Sequence, residues 1–152
     1  MDIPKAKIIA ENTYDLHEYI LKLVDDNYIK PQFQEVRRKL AYHIPCHLRA
    51  LGIGYPAAKL MSMIPSLTCE IIDDNCCGLS GSYGFKKSNE STAISIGNRA
   101  VARIKKTDAT EIVADCGSCR MQLGGLSGLA TLDPAEVISE SLGITLAKTQ
   151  KV

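Results

Sequence analysis

Five of the six cysteines in this 152-residue chain fall into a pattern dense enough to do chemistry. Cys46 is followed after 29 residues by the adjacent pair Cys76-Cys77, and after 38 more by Cys116-Gly117-Ser118-Cys119. Thiols so far apart in sequence meet only if a fold gathers them. Neighbouring side chains on a strand point to opposite faces, so Cys76 and Cys77 can serve one centre only where the backbone turns. The run Asn75-Cys76-Cys77-Gly78-Leu79-Ser80-Gly81-Ser82-Tyr83-Gly84 offers that turn. Its glycines accept positive φ and let the backbone pass close to a bound object. Grouped thiolates of this kind bind a metal ion or an iron–sulfur cluster. The Cys-x-x-Cys alone also fits a dithiol–disulfide catalyst, but that reading leaves Cys46, Cys76 and Cys77 without a role. Tetrahedral zinc is a better competitor; it needs four ligands where five are on offer, and an ordinary cubane cluster also takes four.

The elements that must position these thiols are legible as alternating strands and helices. A helix is predicted over 12–27, started by Asn12 or Thr13, with Leu16, Tyr19, Ile20, Leu23 and Val24 on its apolar face. His17 lies outside that stripe and is read as a solvated histidine. Turn-like sequence leads to Lys39, and Leu40–Ile44 reads as a strand leaving into a loop at Pro45-Cys46-His47. A helix over 56–64 starts on Pro56 and turns Leu60, Met61 and Ile64 inward, with Met61 and Met63 as gap-filling core residues. Leu67–Ile72 is the second strand and delivers the chain to Cys76-Cys77. Cys69, inside that strand, is read as a buried apolar residue and not a ligand.

Beyond the glycine-rich loop, a helix is predicted over about 89–106, with Ile94, Val101 and Ile104 near one face. Glu111–Ala114 is the third strand and ends at Asp115-Cys116. Arg120 to Leu123 opens another helical turn, so the Cys-x-x-Cys sits where a helix N-terminus favours thiolates. Gly124 to Ala130 reads as a loop of small residues. Asp133-Pro134-Ala135-Glu136 is an N-cap with proline and glutamate at the favoured positions, and that helix runs to about Leu142 with Gly143 as its stop. The order implies an α/β fold: a small parallel sheet of about three to four strands with flanking helices. The ligand cysteines then stand at the carboxyl ends of the strands, where open α/β sheets place their sites. The division expected is an N-terminal helical segment, 1–39, packed on a cysteine-rich domain, 40–152.

Composition narrows the function. A net charge of +1, sparse aromatics and no tryptophan give no reason to expect nucleic acid. No apolar run approaches the ~20 residues of a membrane-spanning helix, and Met1-Asp2-Ile3-Pro4-Lys5 lacks a signal's apolar core. A cytoplasmic location is expected, where grouped cysteines are more often metal-binding or catalytic than disulfide-bonded.

His43-Ile44-Pro45-Cys46-His47, Cys76-Cys77-Gly78 and Asp115-Cys116-Gly117-Ser118-Cys119, spread over roughly 40–142, resemble the motifs of the cysteine-rich (CCG) domain family. In the heterodisulfide reductases of that family the motif holds a noncubane [4Fe–4S] cluster, and in some related quinone reductases a copy holds zinc. Cys77 to Lys87 is similar to the C-terminal domain of the iron–sulfur subunits of anaerobic glycerol-3-phosphate dehydrogenases. The corresponding lactate- and glycolate-oxidising subunits are similar too. The resemblance implies Cys46, Cys76, Cys77, Cys116 and Cys119 as ligands of a [4Fe–4S] cluster, with zinc as the alternative; a vicinal pair suits a noncubane cluster in which one thiolate bridges two irons. Lys86, Lys87, Arg120 and His47 stand near the ligands in sequence, as solvated basic residues or as counter-charges to the cluster.

The function implied is electron transfer within an anaerobic glycerol-3-phosphate dehydrogenase complex, from its flavoprotein towards membrane quinone, with peripheral membrane association through the complex alone. The family's full subunits also carry ferredoxin-type cysteine motifs and a first cysteine-rich domain. Neither lies in these residues, so the chain is expected to be one half or a fragment of such a subunit, to need that companion domain, and to lack catalytic activity alone. The alternatives are a zinc-stabilised module that docks subunits, or the equivalent iron–sulfur subunit of a lactate- or glycolate-oxidising or heterodisulfide-reductase-like complex.

Overall fold

The computed structural model describes residues 3–73 and 76–144. Four parallel strands form one sheet in the order β2-β1-β3-β4: β1 is Lys39–His43, β2 Thr68–Ile72, β3 Glu111–Val113 and β4 Ala130–Leu132. The helices are α1 (Ile3–Glu11), α2 (Leu16–Asp25), α3 (Cys46–Leu51), α4 (Pro56–Ser62), α5 (Glu90–Ile104), α6 (Gly117–Ser127) and α7 (Pro134–Ser141). The α/β reading with a small parallel sheet and flanking helices therefore holds. β4 occupies part of what reads as a loop of small residues. Its Ala-Thr-Leu is too short to show a period, and α6 runs through Gly124 and Gly125 to reach it.

The two-residue period of β1 sorts the core into two layers. Leu40, Tyr42 and Ile44 face a layer built with Leu21 of α2, Leu60 and Met61 of α4, and Val137 and Ile138 of α7. Ala41, with Ile72, Ile112 and Ala114, faces a second layer with Ala100, Val101 and Ile104 of α5 and Leu123 of α6. Helices thus cover both faces, as a parallel sheet requires. No helix among the described residues is long and apolar enough to cross a membrane.

Several local expectations shift. Asn12 and Thr13 do not start α2: their side chains donate to the carbonyls of Ile8 and Ile9 and close α1, a helix with no buried residue that the sequence pattern does not announce. Asp15 caps α2 instead, in a capping box with Glu18. The buried face of α2 is His17 and Leu21, with Ile20 and Val24 packed beside them, while Leu16 and Tyr19 are exposed. Counting His17 as polar turns the predicted stripe by one residue. Met61 is buried as expected, but Met63 and Ile94 are about two-fifths exposed, because they sit just past α4 and on the outer side of α5. Asp133, Pro134 and Glu136 form the predicted capping box of α7.

Candidate metal centre

Each cysteine segment leaves the carboxyl end of a strand. β1 runs through Ile44 and Pro45 into Cys46, the first residue of α3, and Cys46 and His47 are exposed. β2 leads to the Cys76–Cys77 loop, and β3 to Cys116, the N-cap residue of α6, with Cys119 one turn on. Since β1 lies between β2 and β3, the three segments emerge side by side along one edge. Cys77 and Cys119 are buried in the layer under α5 and α6, with Cys76 and Cys116 packed against it. Cys69 packs against the opposite layer, on the far side of the sheet. There burial pushes its thiol up to about 11.

The thiols form contacting pairs. Cys119 interacts with Cys77, Cys76 with Cys77 and Cys116 with Cys119, and Cys46 is within electrostatic reach of Cys76. Cys77 is pulled down to about 6, first by the Cys119 thiol and then, against burial, by the backbone N–H groups of Leu79 and Ser80. The same thiol pair, with burial, raises Cys119 far above an ordinary thiol. Cys76 is raised by burial, although the Gly78 N–H donates to its sulfur at 3.3 Å. Successive N–H groups aimed at sulfur make an anion-binding concavity, the environment that thiolate ligands require.

Glycine is needed here for a reason other than closeness to a ligand. Gly78 has φ +97°, and a Cβ on it would lie 2.1 Å from the carbonyl oxygen of Ala93 in α5. Across the same contact, a Cβ on Gly97 would lie 2.7 Å from the Cys77 carbonyl oxygen. The two glycines let the Cys77 loop rest directly on the helix backbone, which holds both thiols at the sheet edge.

Among the described residues, no three His, Cys, Asp or Glu side chains converge tightly enough to hold a single metal ion. The donor set is nonetheless all thiol, paired, and provided with N–H donors, which fits a thiolate-bound group of more than one atom. Of the basic residues near the motifs, Lys86, Lys87 and His47 are exposed. Arg120 is engaged elsewhere: it donates to the Ala114 carbonyl at 2.8 Å and pairs with Asp133, and so braces the segment before Cys116.

His17 is the main departure from the sequence reading. It is not solvated: it is 4% exposed, and its Nδ1 stands 3.2 Å from Asp115 Oδ1. The Tyr42 hydroxyl donates to Asp115 Oδ2 at 2.5 Å. Burial alone would raise the Asp115 carboxyl; the hydrogen bonds from His17 and Tyr42 outweigh it and hold the group below the ordinary aspartate range. Burial, then the bond to Asp115, lifts Tyr42 well above an ordinary phenol. Spacing holds one available signal for His17: it lies three and four residues before Ile20 and Leu21, on the same helical face.

The family comparison agrees with this arrangement. The model of the cysteine-rich domain family, CCG, matches residues 40–124. A subunit of the anaerobic glycerol-3-phosphate dehydrogenase of Escherichia coli (strain K12) is 34% identical over 104 residues, which cover 68% of this chain and 26% of that protein. Lactate utilization protein A 1 of Bacillus anthracis (strain CDC 684 / NRRL 3495) is 28% identical over 146 residues, 91% of this chain and 58% of that protein. The chain thus spans between about a quarter and three-fifths of the length of these relatives. With the three cysteine segments set along one sheet edge, and the family model covering more than half of its residues, the chain belongs to the cysteine-rich CCG domain family.

Proposed function

We propose that this chain is the iron–sulfur electron-transfer module of an anaerobic glycerol-3-phosphate dehydrogenase complex, not catalytic alone. It would accept electrons from flavoprotein subunits and pass them towards membrane quinone, working beside a companion cysteine-rich or ferredoxin-type domain. Residues 40–152 are the cysteine-rich domain and 1–39 the helical segment packed on it. The location is the cytoplasm or, through the complex, the inner face of the cell membrane. The observation that carries the reading is the presence of five thiols on three neighbouring strand ends, each within interacting reach of another. Pairs spread along an edge suit a [4Fe–4S] cluster, noncubane because of the vicinal pair, better than one tetrahedral zinc. Cys46, Cys76, Cys77, Cys116 and Cys119 would hold the cluster, and when bound it would supply one-electron transfer. The chain's residues would exclude water by burial under α5 and α6 and stabilise anionic sulfur through the N–H groups of Gly78, Leu79 and Ser80.

Anoxic reconstitution should give about four irons and matching acid-labile sulfide per chain. One zinc with no sulfide would sink the cluster. Cys76→Ser or Cys77→Ser should abolish or reshape the visible spectrum. Cys69→Ala should leave it intact, since that thiol lies across the sheet. The match to lactate utilization protein A over 91% of the chain favours a second reading, a lactate-oxidising complex. Mixing the loaded chain and companion domain with each flavoprotein and its substrate separates the two: bleaching with lactate and not with glycerol 3-phosphate reverses the assignment.

A further inference from the structure

The buried group formed by His17, Asp115 and Tyr42 is centred on the residue that immediately precedes the third cysteine segment. Each oxygen of the Asp115 carboxylate is held by a donor from a different element: Oδ1 by His17 of α2 at 3.2 Å, and Oδ2 by Tyr42 of β1 at 2.5 Å. Such a carboxylate cannot turn without losing a bond. The next residue is Cys116, in extended conformation at the N-cap of α6. Arg120 holds the other side of the same turn through the Ala114 carbonyl. Asp15, the cap of α2, is the other charged group near His17, with Oδ1 3.9 Å from Nδ1. It is occupied with the N–H groups of His17 and Glu18.

The second ring nitrogen explains why a histidine stands here. Nε2 of His17 is buried and has no hydrogen-bond partner. An orphaned buried polar atom is a cost that a side chain serving only to pack would not carry. What histidine supplies is the Nδ1–H donor to Asp115. We propose that His17 is a positioning residue: from helix α2, through Asp115, it fixes the turn that presents the Cys116 thiol. This rests on the reading of Cys116 as a ligand only for its meaning in function; the positioning itself concerns the chain alone.

Two substitutions separate donor from packing. His17→Phe keeps a ring and removes the donor, whereas His17→Asn keeps an N–H near the Nδ1 position and gives up volume. The reduced, metal-free chain is pulsed with iodoacetamide, and the labelling of Cys116 is measured against that of Cys46 by mass spectrometry. His17→Phe should raise the ratio on the order of tenfold, the scale set by losing a hydrogen bond to a charged group. His17→Asn should stay near wild type. A ratio unchanged in His17→Phe, or higher in His17→Asn than in His17→Phe, overturns the proposal. Should His17→Phe not fold, Tyr42→Phe removes the other donor and should raise the same ratio, while Ile138→Val, a core change elsewhere, should not; equal ratios in those two also overturn it. After anoxic iron loading, His17→Phe should alter the visible circular dichroism of the centre and Ile138→Val should not; an unaltered spectrum in His17→Phe counts against the proposal. Failure of wild type to take up iron overturns the proposed function, and the labelling ratio still decides the positioning.

Discussion

β2 and β3 end on the same chemistry in two settings. Asp73 follows β2 and engages Tyr55 and Arg49; Asp115 follows β3 and engages Tyr42 and His17. Each is an aspartate holding a phenol and a basic side chain just before a cysteine segment. The side chains of Asp73 and Arg49 are both 34% exposed, whereas those of Asp115 and His17 are 11% and 4% exposed. In water, an ion pair gains little over the solvation it gives up. Within the protein a carboxylate depends on its donors, and removing one partner leaves the rest uncompensated. Solvent access, more than residue type, therefore sets how much each aspartate contributes to holding its strand end.

Three measurements break or sharpen that contrast. Asp115→Ala orphans Tyr42 and His17 together and should cost about 3 kcal/mol in urea unfolding; a loss below ~1 kcal/mol would make the two ends equivalent. Acid is the next lever. Because the Asp115 carboxyl is held below its ordinary value, its stabilisation is complete above the unfolded aspartate value near ~3.9 and is lost as pH falls through the depressed folded value. The stability gap between wild type and Asp115→Asn should hold at neutral pH and shrink in that acid window; a gap that widens in acid would reverse the sign. The smallest effect is at the other end: Asp73→Ala should change stability by no more than ~0.5 kcal/mol, and less at 1 M salt than at 0.1 M.

The same contrast marks what the sequence could carry. The strand ends, the helix opened by Cys116-Gly117-Ser118-Cys119 and the Asp133–Glu136 capping box are local patterns, and each appears where its residues place it. Cys69 is separated from the other thiols by strand alternation, also a local rule. His17 reads as solvated because its value lies in Asp115, far along the chain, and a polar letter in a helix counts against burial until the partner is known. Arg120 reads as solvated or as a counter-charge for a similar reason, since Asp133 and the Ala114 carbonyl meet it only after folding. The role of Gly78 is legible as freedom of φ; its close approach to Ala93 depends on where α5 lies.

The sheet order has a consequence for how the centre is made in time. β1 pairs with β2, the next strand in sequence, but also with β3, through Leu40–Glu111 and its neighbours. Long-range strand pairing is slow relative to local structure. At ribosomal speed the chain between Cys77 and Cys116 takes on the order of a few seconds to emerge, during which the vicinal thiols exist without the last two. Whatever occupies the edge can be seated by the full set only after Cys119 has left the ribosome and β3 has docked. Assembly of the full thiol set is thereby placed after Cys119 has emerged, and a chain stalled before α6 would present two neighbouring thiols to any oxidant in reach.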